Sequence, residues 1–199
     1  MQKTFKIRKM KLEDVDECLE VHHSLFPVKY SKKEIANDCN SECLALLLTT
    51  IEDDKEKIIG VSMSRRFWTS KFSYNRSSYL ATFGILEKYR KKGLGTFLLR
   101  LTCRIIGNFS NCSYFSLHML RRNDLLHFYE KAGLEAVQVL PEYYNFTTPR
   151  PDAIIMQCDP RKIEFDLNSR DDIEIEDEIR KMLKEKQSIG WFAPWFSKP

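Results

Sequence analysis

The chain has 199 residues, 43% of them hydrophobic and 30% charged, so it can bury one domain's core with some length to spare. Its formal net charge of +4 excludes little about partners, but no apolar run reaches the length of a membrane span. The N-terminal "MQKTFKIRKMKLED" lacks the apolar stretch of a secretory signal. The six cysteines form neither a C-x-x-C pair nor a zinc-type spacing, so we expect no metal site, and reduced, mostly buried thiols in an intracellular protein.

Phe5 and Ile7 alternate with Lys6 and Arg8, which predicts a short first strand. In "KLEDVDECLEVHHSLF" Leu12, Val15 and Leu19 share a helical face, acids lie in the first turn, and Pro27 ends the helix. Ser31 followed by Glu34 is a capping box for a second helix. "CLALLLTTI" is a buried strand, "EDDKEK" a charged turn, and "IIGVSMSRRF" the returning partner. A polar loop from Thr69 to Ser78 leads into the strand "YLATFGILE". The stretch "RKKGLGTFLLRL" then opens a helix to about Ile106, with Gly107-Asn108 as its stop. "YFSLHML" alternates as a strand, and "NDLLHFYEKAG" is a short helix ending on Gly133. "LEAVQVL" and "DAIIMQC" are two last strands joined by "PEYYNFTTPRP". The order β-α-α-β-β-β-α-β-α-β-β predicts a mixed α/β domain over residues 1–160.

The remaining residues, 161–199, form a C-terminal extension. "RDDIEIEDEIRKMLKEKQ" predicts an amphipathic helix, acid-first and base-last, with Ile175, Ile179, Met182 and Leu183 in one stripe. The tail "GWFAPWFSKP" packs Trp191, Phe192, Trp195 and Phe196 into six residues. The tail either fills a groove of the domain or anchors at a membrane interface.

Charge is unevenly spread. From Lys57 to Asn123 the only acidic residue is Glu87, a zone that suits a polyanion: nucleic acid, anionic lipid or a phosphate-rich cofactor. Within it, a strand, then Arg-Lys-Lys-Gly-Leu-Gly, then a helix is a phosphate-binding layout, because helix N-terminal N–H groups are unpaired and glycine lets an anion approach. The Walker pattern is absent, and the dinucleotide pattern fails at Leu98. The pattern that fits is R-x-x-G-x-G, Arg90 to Gly95. It resembles the pyrophosphate-binding turn of the GNAT superfamily of N-acetyltransferases. "NDLLHFYEKAGL" resembles the segment that closes the cofactor site there: Asn123, Phe128, Tyr129 and Gly133 match in type. Asn123 stands one residue nearer Tyr129 than usual, and Leu125 takes an alanine position.

The resemblance covers Phe5 to Cys158. It implies a GNAT fold, a mixed and mostly antiparallel central sheet flanked by helices, with acetyl-CoA as cosubstrate. By resemblance, acetyl-CoA is held by Ala81, Thr82, Phe83, Gly84 and Ile85, by Arg90, Lys91, Lys92, Gly93, Leu94, Gly95 and Thr96, and by Asn123 and Tyr129. Nucleic acid is not an expected partner, since the aromatic interleaving of a single-strand platform is missing.

"LFPVKY" and "LPEYYNF" resemble the peptide-gripping loops of N-terminal acetyltransferases of the NatF type and, next, the NatE type. By that resemblance Phe26, Pro27, Val28 and Tyr30 line a pocket for the substrate's first side chain, and Tyr143 and Tyr144 cover its backbone. Tyr79 and His118 match the tyrosine and histidine that take the amine's proton, and Tyr129 is placed to protonate the leaving thiolate. His22, His23 and His127 are read as structural. The implied activity is acetyl transfer to protein N-termini beginning with Met and then a hydrophobic residue or Lys, directly in a ternary complex. Acetylation of lysine or small amines and a silent acetyl-CoA-binding module are the alternatives. The expected location is cytoplasmic, on the cytosolic face of an organelle membrane where segment 171–196 binds lipid.

Overall fold

A computed structural model describes residues 4–39, 43–68, 76–108 and 112–184, with backbone alone at 66–68, 76 and 123. One eight-stranded sheet organises them, in the order β6-β7-β5-β4-β3-β2-β1-β8. The strands are β1 (Phe5–Lys9), β2 (Cys43–Glu52), β3 (Lys55–Trp68), β4 (Arg76–Ile85), β5 (Cys112–Leu120), β6 (Glu135–Leu140), β7 (Ala153–Cys158) and β8 (Ile173–Ile175). The helices are α1 (Val15–Leu25), α2 (Lys32–Asn37), α3 (Leu94–Asn108), α4 (Asn123–Ala132) and α5 (Asp177–Lys184). Pairings are antiparallel except β4 with β5 and β1 with β8.

Side-chain alternation explains why β2 is a continuous apolar run. Leu44, Leu46 and Leu48 enter the core under α3 and α4, while Ala45 and Leu47 enter a second core under α1 and α2. A strand covered on both faces needs apolar residues at every position. Its hairpin to β3 turns on Asp53 and Asp54, both with positive φ (50° and 59°), the backbone twist that tight hairpins favour. The α2 capping box forms as predicted: the Glu34 N–H donates to Ser31 Oγ at 3.3 Å and the Ser31 N–H to Glu34 Oε2 at 2.8 Å.

The structure differs from the sequence reading in five places. Lys55 to Lys57, read as part of the charged turn, already belong to β3 and pair with β2. Leu12 lies in a 3-10 turn that precedes α1 and is exposed rather than on the helix's buried face. Arg76 to Ser78, read as loop, begin β4 and pair with β3 and β5. Gly107 and Asn108 lie inside α3 rather than after it. Finally, Ile173 to Ile175 belong to a strand, with Phe5 opposite Ile173 and Ile7 opposite Ile175, so the last helix starts only at Asp177. The apolar stripe survives but faces inward: Ile175, Ile179 and Met182 are buried in the α3-side core and Leu183 packs against it. The Asn108 side chain donates to the carbonyls of Met182 and Leu183 at 3.1 and 2.8 Å, capping the described end of α5.

Candidate active site

The centre of the sheet opens where its two parallel strands stop pairing. The β4–β5 ladder ends at Tyr79 opposite Ser116, although β4 continues to Ile85 and β5 to Leu120. Beyond that rung, the β4 edge from Leu80 to Ile85 faces a gap instead of a neighbour, and backbone polar groups there need a partner. Among the described residues no strand pairs with this edge, although the Ile85 carbonyl accepts from Arg90. An extended, amide-bearing ligand is the kind of group that can bond such an edge.

At the far end of β4 the chain makes the basic turn. A 3-10 turn at Glu87–Tyr89 leads to Arg90, then Lys91 takes φ 62° and Gly93 φ 77° before α3 begins at Leu94. The Phe97 N–H is the first to find an intrahelical acceptor, Gly93 O at 3.1 Å, so the amides just before it are unpaired by the helix. No acid stands in α3's first turn to compete for that positive end. Arg90 Nε bonds back to Ile85 O at 2.8 Å, tying the turn to β4. Leu94 and Ile85 have buried side chains, so either can meet a ligand only through its backbone. The turn and its orphan amides fit a diphosphate.

The acid-poor window of the sequence is not a one-sign surface. Arg65 pairs with Asp38, Lys88 with Glu52, Arg121 with Asp152 and Arg122 with Asp124, each acid coming from outside the window. Among the described residues Arg90, Lys91 and Lys92 have no such acid, so three unpaired cations stand together at the turn.

Where the ladder opens, Tyr79 Oη and His118 Nδ1 lie 3.0 Å apart. Burial pushes the Tyr79 phenol up to about 12, with Tyr143 and Tyr30 adding to the rise. Burial lowers the pKa of His118. At neutral pH the pair is therefore a protonated phenol beside a neutral imidazole. The Tyr143 ring stacks on His118 at 4.8 Å and 6°, and Tyr144 meets Tyr143 edge-on at 5.1 Å. Tyr144 is carried by the β6–β7 connection, whose Tyr144 N–H bonds Pro151 O and whose Glu142 N–H bonds Asp152. Tyr129 is buried, raised by that burial and by Tyr144 and Tyr79, and sits 6.5 Å from Phe83 on β4. Asn123 is the first residue of α4; its side chain lies outside the described residues.

The other loop follows α1. Phe26 is half-buried, Pro27 and Val28 are exposed, and Tyr30 is half-buried. Gly84 is what lets this loop approach β4: a Cβ there would stand 2.9 Å from Leu25 Cδ1 and 3.1 Å from Phe26 Cζ. His22 lies beneath, 2% exposed, stacked on Tyr30 at 4.3 Å and 4.8 Å from Phe26. Its Nδ1 is buried without a hydrogen-bond partner, and burial takes its pKa down to about 4. The structural reading of His22 thus acquires a place: it is a neutral slab under the loop.

Two residues of this region have no signal in the sequence. Asp38, 1% exposed, ends α2 and takes a bidentate bond from Arg65, Nε at 2.7 Å and Nη2 at 3.1 Å. Arg65 is directly opposite Tyr79 in the β3–β4 register, and its charge offsets a small part of the rise that burial imposes on the phenol. The ion pair spans 27 positions of chain, and only the sheet register brings its arginine beside the tyrosine.

Comparison with known proteins shows the family and the fold. The acetyltransferase (GNAT) family matches residues 12–134. An N-alpha-acetyltransferase of Saccharolobus solfataricus is 24% identical over 146 residues, covering 70% of this chain and 86% of its own. The probable N-acetyltransferase san of Drosophila melanogaster is 26% identical over 145 residues, covering 72% and 74%. Among solved structures, NAA60 of Arabidopsis thaliana in complex with a bisubstrate analogue superposes with TM-score 0.71 at 19% identity, over 78% of this chain and 97% of that one. Arabidopsis Naa50 in complex with the bisubstrate analogue CoA-Ac-MVNAL gives 0.65 at 24%, over 78% and 98%. The sheet with its flanking helices is the GNAT fold, acetyl-CoA is the cosubstrate typical of such enzymes, and the chain belongs to the acetyltransferase (GNAT) family.

Proposed function

We propose that the protein acetylates the α-amine of protein N-termini that begin with Met followed by a hydrophobic residue or Lys. The observation that carries the reading is the Tyr79–His118 pair at the mouth of the open ladder, roofed by Tyr143. The naming of distant relatives as N-alpha-acetyltransferases supports it.

Acetyl-CoA, when bound, supplies the activated acetyl thioester. The Arg90–Gly95 turn and the first amides of α3 hold its pyrophosphate. The open β4 edge around Phe83 to Ile85 offers N–H groups to the thioester carbonyl as charge develops there. Phe26, Pro27, Val28 and Tyr30 form an apolar slot for the first side chain, and Tyr143 and Tyr144 lie along the peptide backbone. His118, kept neutral, accepts the ammonium proton, directly or through water. Tyr79 holds the imidazole in place with its hydroxyl. Tyr129, kept protonated by burial, is the donor to the departing thiolate. An α-amine is easier to neutralise than a lysine by roughly 3 kcal/mol, from reference pKa values of about 8 and 10.4. A neutral imidazole is therefore matched to the former.

Turnover by the wild type with loss in Tyr79→Phe is the expected result. No turnover by either would leave a silent acetyl-CoA-binding module. The same reading places the protein in the cytoplasm. Because the α5 stripe is spent on the core, the membrane contact narrows to the aromatic tail of residues 185–199, which lies outside the described residues. Liposome flotation with and without residues 188–199 tests it, and equal flotation would remove it.

A further inference from the structure

We propose that Arg170, from the C-terminal extension beyond the matched family region, is a positioning residue for the acetyl-CoA site. The proposal rests on the reading that Arg90–Gly95 holds the pyrophosphate. That turn contains two left-handed residues, Lys91 and Gly93, within three positions. For Lys91 such a conformation persists only when surrounding contacts over-determine it, whereas Gly93 adopts it freely. On one side the contact is Arg90 Nε to Ile85 O. On the other it is Arg170: its Nη1 donates to Lys92 O at 2.7 Å and would stand 3.1 Å from a Cβ on Gly93.

Arg170 is itself held. Its Nε and Nη2 donate to the two carboxylate oxygens of Asp172 at 2.7 and 2.6 Å. The Asp172 carbonyl in turn accepts the N–H groups of Thr4 and Phe5 at 3.0 and 3.1 Å, just before β8 pairs with β1. The eighth strand thus delivers one guanidinium to one carbonyl of the cofactor turn.

The consequence follows from peptide planarity. In a trans peptide the C=O and the following N–H point in opposite directions. Pinning Lys92 O toward Arg170 aims the Gly93 N–H the other way, away from the extension. Glycine at 93 would by itself leave this peptide free to flip. Arg170 removes that freedom and presents the amide in one direction before acetyl-CoA arrives. With Asp172 bound to the guanidinium, the pair adds little net charge, so the effect is one of orientation.

The test is steady-state kinetics with calorimetric CoA binding on the full chain. Arg170→Met should raise KM for acetyl-CoA, and Kd for CoA, by about tenfold, because binding must then order the turn that this hydrogen bond held in place beforehand. The values of kcat and peptide KM should stay within about twofold. Arg170→Lys, which can still reach the carbonyl, should recover part of the loss. Asp172→Asn, which loosens Arg170 without emptying its place, should fall in the same direction. Unchanged acetyl-CoA KM in Arg170→Met overturns the proposal. A joint loss of kcat and both KM values, tracking thermal instability, also overturns it in favour of a purely structural role. If Arg170→Met shifts CoA affinity but Gly93→Ala does not, the pyrophosphate reading fails. If Gly93→Ala shifts it and Arg170→Met does not, the proposal alone fails.

Discussion

Tyr79 Oη and His118 Nδ1 stand 3.0 Å apart just past the last rung that joins β4 to β5, so the two groups meet where the sheet opens. Tyr79→Phe keeps the ring and removes only the hydroxyl. We expect kcat for peptide acetylation to fall about 100-fold, and about as much for His118→Ala, the scale of general acid–base catalysis. The double variant should be little worse than the more damaged single one, because the groups act as a unit. Multiplying losses in the double variant would show that they act separately.

The pH dependence of kcat follows from the direction of the histidine shift. Burial lowers the His118 pKa from 6.5, so the base stays unprotonated to lower pH than a free imidazole. With both substrates saturating, the acid limb should have its midpoint below pH 6.5, and His118→Ala should abolish that limb. A midpoint above 7 would contradict the assignment.

The approach of α1 to β4 sets the peptide slot. In Gly84→Ala the new methyl meets Leu25 and Phe26 within about 3 Å, and the side chains must give way. Peptide KM should rise about tenfold, equivalent to about 1.4 kcal/mol. Phe26→Ala, which empties the slot instead, should relax the preference for a first methionine. The ratio of kcat/KM for Met-first and Ala-first peptides reads this directly.

His22 supplies a stability prediction. Its folded pKa is about 4 against 6.5 for a free histidine, because burial disfavours the charged ring. Between these values the unfolded chain binds the extra proton, so stability rises with pH there and is lost as pH falls from 6.5 towards 4. Between pH 7 and 4.5 the loss is roughly 2–3 kcal/mol. Chemical denaturation at pH 7 and 4.5 should show this loss in the wild type and a smaller one in His22→Phe. Identical losses would locate the acid sensitivity elsewhere.

The sequence is most legible where local chemistry decides. The Ser31–Glu34 box, the two-sided apolar run of β2 and the alternation of β5 are fixed by neighbours in the chain. β8 is not, because Ile-Glu-Ile satisfies a two-residue period, while Ile175 and Ile179 also satisfy a helical one. What settles it is the free edge of β1, far away in sequence. Arg76, Ser77 and Ser78 carry no apolar alternation, yet β3 and β5 claim them from both sides. In the site, the residue types that carry chemistry stand out in motifs, whereas those that orient them do not. Asp38, Arg65 and Arg170 act through register and reach, and Tyr30 becomes the partner of His22 only after the chain turns at Pro27.

The central claim is that the acceptor is an α-amine next to an initiating methionine. The most direct measurement incubates the protein with acetyl-CoA and peptides beginning Met-Leu, Met-Ile or Met-Lys, plus an N-terminally blocked peptide with an internal lysine, and locates the acetyl group by fragment mass. Acetyl on the N-terminal amine of the Met peptides, with the blocked peptide unmodified, is the predicted result. Acetyl found only on the internal lysine would contradict it.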